Sequence, residues 1–134
     1  MTNLGIEAIA NMLEKDGSIE ELNLNQNTSV SLAGWSQLGR ALKTNSTLKK
    51  MSFDNNPVGD DGIQKITDGL RPNTTLTSLE LEHVGMCDRG GKALLSLLIE
   101  NSTIFTMTIN PGNTVSESVQ NGIKKYIALN AVKN

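Results

Sequence analysis

The chain has 134 residues, which suits one domain, and 37% hydrophobic beside 19% charged residues predicts a folded protein with a core. A formal net charge of -2 lacks the basic footprint that nucleic acids or anionic membranes usually require, so we expect neither as a partner. The single cysteine, Cys87, cannot form an internal disulfide, and no apolar run reaches the roughly 18 residues of a membrane span; both favour a cytoplasmic protein.

The first predicted element is a helix over about residues 4–15, with Ile6, Ile9 and Leu13 at helical spacing. No strand precedes this helix, so the segment Ile19–Leu24 would form an edge strand, and exposed edges usually need a cap. Two interpretations stay open. The chain is the C-terminal part of a longer protein, which we prefer, or the helix itself is the cap.

Strand segments of the form L-x-x-L-x-L begin at residues 19, 48, 76 and 104, so the repeat period is 28 or 29 residues. A polar turn precedes each strand, and each strand is followed by a segment whose apolar residues recur at helical spacing. The later helices open near Gly34, Gly62 and Gly90, where we expect close packing. A fifth helix carries Val119 and Ile123 after the last strand.

One strand, one turn and one helix per repeat predict a stack of similar units. The leucine positions should point between the sheet and the helices, since strand residues alternate between two faces, and each unit needs a neighbour to bury its apolar face. We therefore predict an α/β solenoid with a four-stranded parallel sheet on the concave side and about five helices on the convex side. The predicted units are an N-terminal half repeat at 1–18, repeats at 19–47, 48–75 and 76–103, and a capping repeat at 104–134.

The segments Ile19–Asn27 and Leu48–Asn56 follow the longer pattern L-x-x-L-x-L-x-x-N. With the 28- or 29-residue period, they resemble the ribonuclease-inhibitor type of leucine-rich repeat, which also occurs in tropomodulins, NOD-like receptors and the GTPase-activating protein of Ran. The resemblance covers residues 4–130 and implies a leucine-rich-repeat (LRR) fold.

Two positions depart from the family pattern. Val84 and Gly112 stand where the first repeats have Asn27 and Asn56. In this family the asparagine typically ties backbone groups of adjacent turns together. The C-terminal half is therefore expected to satisfy those groups in another way.

The outward strand positions form columns across the predicted sheet, and concave faces of repeat proteins commonly bind partners. We expect a polar, mildly acidic protein-binding surface here, with a merely solubilising face as the alternative. The candidate residues are Glu21, Lys50, Ser52, Asp54, Asn55, Ser78, Glu80, Glu82, His83, Phe105, Thr106 and Thr108. Phe105 is the only aromatic residue predicted near this face, which favours a weak or avidity-dependent contact.

The preferred functional interpretation is a non-enzymatic protein-interaction module whose partner the sequence leaves unnamed. The segments Ile19–Asn25 and Ala41–Lys50 look like the start of the tropomodulin repeat domain, and this alternative implies actin as the partner and capping of filament pointed ends. A Ran-type GTPase-activating fragment is another alternative; it needs a loop arginine, for which Arg89 is the candidate. A receptor-type sensor domain is the third.

No catalytic, cofactor or metal site is expected. His83 is the only histidine, so zinc lacks its usual set of converging ligands, and Cys87 is expected to be a semi-buried core residue. The sequons at Asn45, Asn73 and Asn101 share one repeat position, where asparagine would suit a left-handed cap at a helix C-terminus. Architecture therefore explains them without glycosylation.

Overall fold

A computed structural model describes residues 2–15 and 17–134. Over these residues the chain alternates five helices with four strands, and the prediction of an α/β LRR fold is confirmed. The elements are α1 (Asn3–Lys15), β1 (Glu21–Asn23), α2 (Leu32–Thr44), β2 (Lys50–Ser52), α3 (Gly59–Leu70), β3 (Ser78–Glu80), α4 (Asp88–Glu100), β4 (Thr106–Thr108) and α5 (Glu117–Lys133).

The strands form one parallel sheet in the order β1-β2-β3-β4. The repeat period sets the register, since each motif position lies opposite the same position of the next repeat, as Leu22 does with Met51. Hydrogen bonding continues past the three-residue strands: the backbone N–H of Leu24 donates to Ser52 O at 2.9 Å, and that of Gln26 to Asp54 O at 2.9 Å.

The core lies between the sheet and the helices and runs through all repeats. Leu48, Leu76 and Ile104, at the first motif position, are completely buried. Trp35 is also in the core, as expected, with its ring edge-on to Phe53 at a centroid distance of 5.6 Å and an angle of 72°. Burying each large apolar side chain contributes about 1.5–3 kcal/mol, so this shared layer is the main source of stability.

Glycines permit close packing both at the start of each helix and between neighbouring helices. A Cβ atom at Gly34, Gly62 or Gly90 would lie 2.6–2.8 Å from a side-chain carbon of the turn just before the same helix, so the expected close packing is present. Gly69 approaches the backbone of Gly39 so closely that α2 and α3 touch without intervening side chains.

Gly91 replaces an apolar residue of the earlier repeats. Val115 and Val119 approach this position from the next repeat, and a Cβ atom here would lie 2.8 Å from Val115 Cγ1 and 3.1 Å from Val119 Cγ1.

Buried asparagines tie each repeat to the one before it. Asn45, at the C-terminus of α2, has an extended backbone with φ −68° and ψ 130°, so the expected left-handed cap is wrong. Its Nδ2 instead donates to Leu13 O at 2.9 Å, and Asn73 and Asn101 donate in the same way to Leu42 O and Leu70 O. Each side chain thus satisfies a carbonyl in the last turn of the preceding helix, which has no partner within that helix.

A second set of asparagines lies at the strand ends. Asn56 Nδ2 donates to Leu24 O and to Phe53 O, both at 2.8 Å. In the last repeat Asn113, one residue beyond Gly112, takes this role, with Nδ2 donating to Leu81 O at 2.7 Å and Oδ1 accepting from the N–H of Val84 at 3.2 Å. The C-terminal half therefore satisfies these backbone groups in another way, as predicted.

Candidate protein-binding surface

The parallel register brings the outward side chains of the strands together on the concave side. Glu21, Lys50, Ser78 and Thr106 lie in one row across the sheet, in the order predicted. The next row contains Asn23, Ser52, Glu80 and Thr108. We use the name concave surface for these rows and the candidate residues that follow them at the strand ends.

The candidate residues differ in how far they reach solvent. The exposed ones are Glu21, Lys50, Asn55, His83, Thr106 and Thr108. Asp54, Ser78, Glu80, Glu82 and Phe105 are partly buried. Their side chains therefore present both charged and uncharged polar groups along the sheet.

Ser52 is the exception among the candidates. Its side chain was expected to face solvent, but only 3% of the residue is exposed, and the expectation is corrected. The hydroxyl donates a hydrogen bond of 2.6 Å to Asn25 Oδ1 in the preceding repeat. Ser52 therefore links two adjacent repeats and is buried, so it contributes little to the solvent-exposed surface.

Charges pair across the middle of the concave surface. Lys50 Nζ lies 3.2 Å from Glu80 Oε1, diagonally between β2 and β3, and both side chains remain partly accessible. Such a pair contributes about 0–1 kcal/mol, so it orients the two side chains more than it stabilises the fold. These residues, with Glu21 and Asn23, line a shallow depression on the sheet.

The Asp54 side chain helps to join two repeats. Its Oδ1 accepts a hydrogen bond of 2.8 Å from the backbone N–H of Glu82 in the next repeat. Among the described contacts, the Glu82 side chain accepts no hydrogen bond from the backbone, and Glu82 is partly exposed. Glu82 is therefore better suited than Asp54 to meet a partner.

The strand ends turn through left-handed backbone. Gln26, Asn55 and His83 have φ of 62°, 62° and 53°, which sends the chain away from the sheet at the same point in three repeats. The imidazole of His83 lies directly against Gly112, where a Cβ atom would collide with the ring. His83 is thus an exposed ring packed on the last turn.

No group of three or more His, Cys, Asp or Glu side chains is arranged to hold a metal ion among residues 2–15 and 17–134. Cys87, expected in the core, is exposed at the start of α4, and that expectation is wrong. The turn that places it there is held by its backbone N–H, which donates to Asp60 Oδ1 at 2.8 Å.

Arg89 pairs with Asp61 across α3 and α4, with Arg89 Nη1 2.6 Å from Asp61 Oδ1. The hydrogen bond and the negative charge of Asp61 raise the pKa of Arg89 above its usual value. Arg89, expected in a loop, lies in the first turn of α4, and its guanidinium forms an exposed ion pair between two repeats.

Sequence reasoning missed an apolar groove between β4 and α5. We call it the C-terminal groove; it is lined by Met107, Thr108, Ile109, Asn110, Gln120, Ile123, Lys124 and Ile127. The signal that could have revealed it is that β4 belongs to the fourth L-x-x-L-x-L segment, the last of the four in the 134 residues; within the described residues β4 pairs with β3 alone. Within the described residues, no helix is long and apolar enough to cross a membrane.

Comparison with known proteins gives a consistent result. A family model described as the TMOD/LMOD leucine-rich domain matches residues 2–132. Human leucine-rich repeat-containing protein 73 is 27% identical over 121 residues, covering 88% of this chain and 38% of that protein. Tropomodulin-4 of Bos taurus is 28% identical over 114 residues, covering 81% of this chain and 33% of that protein.

The fold also matches a solved structure, that of leiomodin-1 actin-binding site 2. The TM-score is 0.71 at 19% identity, and the match covers 96% of this chain and 88% of the other. The chain thus spans nearly all of that domain but between 33% and 38% of the two curated relatives named above. The resemblance to ribonuclease-inhibitor-type repeats, tropomodulins included, is confirmed.

Proposed function

Since the chain belongs to the TMOD/LMOD leucine-rich domain family, we propose that it is a non-enzymatic protein-binding domain whose partner is actin. The match of the family model over residues 2–132 is the observation that carries the proposal. The fold shared with an actin-binding site of leiomodin-1 supports it. The tropomodulin-like alternative therefore takes precedence over an unnamed partner, and a cytoplasmic location remains part of the proposal.

The concave surface is the proposed contact. Its side chains project from a sheet whose strands are held in register and whose repeats are cross-linked by buried asparagines. Because the backbone is already ordered, little conformational entropy is lost when a partner binds. Glu80 and Glu82 lie at its centre, and Glu21 and Lys50 flank them. The partner surface that fits carries basic groups opposite β3.

Binding is tested by co-sedimentation of the purified chain with filamentous actin and by gel filtration with monomeric actin. Replacement of both Glu80→Lys and Glu82→Lys should lower the affinity at least about tenfold, because it reverses two charges at the centre of the contact. A pointed-end elongation assay, with filament barbed ends blocked, tests whether binding also caps the filament.

The matched control is Glu7→Lys with Glu14→Lys, which makes the same charge change at exposed positions of α1 away from the sheet. It should bind actin like the unaltered chain. Equal loss in both double variants would remove the concave surface from the proposal. If the unaltered chain binds neither monomeric nor filamentous actin, actin is not the partner.

A further inference from the structure

The shallow depression on the concave surface extends over three strands. Its volume is about 290 Å³, and its lining residues are Glu21, Leu22, Asn23, Lys50, Ser52 and Glu80. Backbone pairing places Glu21 of β1 opposite Lys50 of β2, and Glu80 lies on β3. The register of the sheet therefore sets the positions of the charged groups in the depression.

The lining of the depression has a net negative charge. Glu21 and Glu80 supply two carboxylates and Lys50 supplies one ammonium group, which leaves one negative charge. Asp54 and Glu82, which follow at the strand ends, add two more carboxylates on the same side of the sheet. The depression therefore favours a positively charged group of a partner over a negatively charged one.

One carboxylate of the depression is already paired, and the other is free. Lys50 Nζ lies 3.2 Å from Glu80 Oε1, and the two side chains are 46% and 30% exposed. Glu21 is exposed and belongs to none of the ion pairs in residues 2–15 and 17–134. An accessible pair such as that of Lys50 and Glu80 is weak, so a stronger hydrogen-bond donor can displace Lys50 from Glu80.

An arginine side chain fits this arrangement better than a lysine side chain. Strands β1 and β3 lie about 9–10 Å apart with β2 between them, a gap that two glutamate side chains and one guanidinium can bridge. The guanidinium presents five N–H donors in a planar fork, whereas the lysine ammonium is a hydrated point charge equivalent to that of Lys50. Leu22 is partly exposed in the depression and gives the arginine stem an apolar surface to pack on.

We propose that the depression receives an arginine side chain of the partner, whose guanidinium bonds to Glu21 and Glu80 and displaces Lys50 from Glu80. This inference rests on the proposed function, because it specifies which group of the partner the concave surface recognises. Lys50 competes with that group for the same carboxylate. Neutralising Lys50 therefore strengthens binding, although Lys50 lies within the contact.

The test is an NMR titration of the isotope-labelled chain with N-acetyl-arginine amide, which carries the proposed group without the rest of a partner. The backbone amide signals of Glu21, Lys50 and Glu80 should shift and reach saturation. N-acetyl-citrulline amide has nearly the same shape and no charge, so it should leave these signals unchanged. N-acetyl-lysine amide should bind more weakly than the arginine amide.

Single substitutions separate recognition in the depression from a general effect of charge. Lys50→Gln should tighten binding of the arginine amide about two- to fivefold, which is the range expected when a weak competing ion pair is removed. Glu21→Gln and Glu80→Gln should each weaken binding at least about threefold, since each removes one of the two bonded carboxylates. The controls, Lys43→Gln on α2 and Glu7→Gln on α1, make the same charge changes at exposed helix positions and should bind like the unaltered chain.

Dispersed amide signals in each spectrum establish that the variant is folded. The proposal is overturned if the arginine amide shifts the signals of the depression no more than the citrulline amide does, if the lysine amide binds as tightly, or if Lys50→Gln weakens binding. The titration contains no actin, so its outcome is separate from that of the actin-binding assays. A chain that binds actin but does not discriminate the arginine amide from the citrulline amide keeps the proposed function and loses this inference.

Discussion

The side chain of Asn73 joins three consecutive repeats. Its Nδ2 donates to Leu42 O at 2.8 Å and Asn45 O at 3.1 Å, and its Oδ1 accepts from the N–H of Thr75 and of Leu76. Only 3% of the residue is exposed, so water cannot replace these bonds if the amide is removed. One polar side chain thus completes the end of a helix and the start of the next strand.

Asn73→Ala should lower the free energy of unfolding by about 2–4 kcal/mol, because it leaves buried backbone groups without partners. Denaturation in urea, followed by circular dichroism, measures the loss. The control is Asn121→Ala at an exposed position of α5, which should stay within about 0.5 kcal/mol of the unaltered chain. An equally small effect of both changes would show that the buried asparagines do not stabilise the stack.

Exposure on the concave surface also differs residue by residue. Ser52 and Glu80 lie opposite each other in adjacent strands, yet Ser52 is buried and hydrogen-bonded to Asn25, whereas Glu80 pairs with Lys50 and remains partly exposed. Alternation along a strand predicts which face a side chain lies on. It does not predict how deeply a short side chain on that face is buried by its neighbours.

At the level of elements, the separation of α2 and α3 depends on two glycines. Gly69 lies against the backbone carbonyl of Gly39, and Gly39 in turn lies against that of Lys65. Glycine lowers the helix propensity of a helix interior by about 1 kcal/mol, so each occurs here against the local preference. The contact between helices outweighs that local preference.

Gly69→Ala should therefore destabilise the chain by about 1–3 kcal/mol, although alanine is the better helix former, because the added methyl group forces the two backbones apart. Gly122→Ala on α5 is the matched comparison. Its Cβ would lie 3.0 Å from Leu95 Cδ2, a side chain that can move, so the change should be much smaller. Thermal unfolding of both variants gives the comparison, and stabilisation by Gly69→Ala would contradict the backbone contact.

At the level of the whole molecule, one apolar layer connects all repeats. Leu79 is completely buried in a central strand, and the next residue, Glu80, is partly exposed on the opposite face of the sheet. Neighbouring repeats share this layer, so a defect in one repeat weakens the interfaces on both of its sides.

Leu79→Ala should cost about 2–5 kcal/mol, since it leaves a cavity in the middle of the layer. Glu80→Ala should cost about 0–1 kcal/mol, the contribution of an accessible ion pair with Lys50. Urea denaturation of both variants measures the difference. Similar losses for the two would mean that the inward and outward positions are assigned to the wrong faces.

The repeat period, the inward leucines and the rows of the concave surface were determined by the sequence alone, because strand alternation and an L-x-x-L-x-L motif recurring every 28 or 29 residues require them. Only the tertiary structure decided that Ser52 is covered, that Cys87 is exposed and that Gly39 and Gly69 bring two helices together. Asn73 likewise bonds to atoms 28 and 31 residues away. Each of these features depends on how closely adjacent repeats approach, and no local pattern within one repeat specifies that distance.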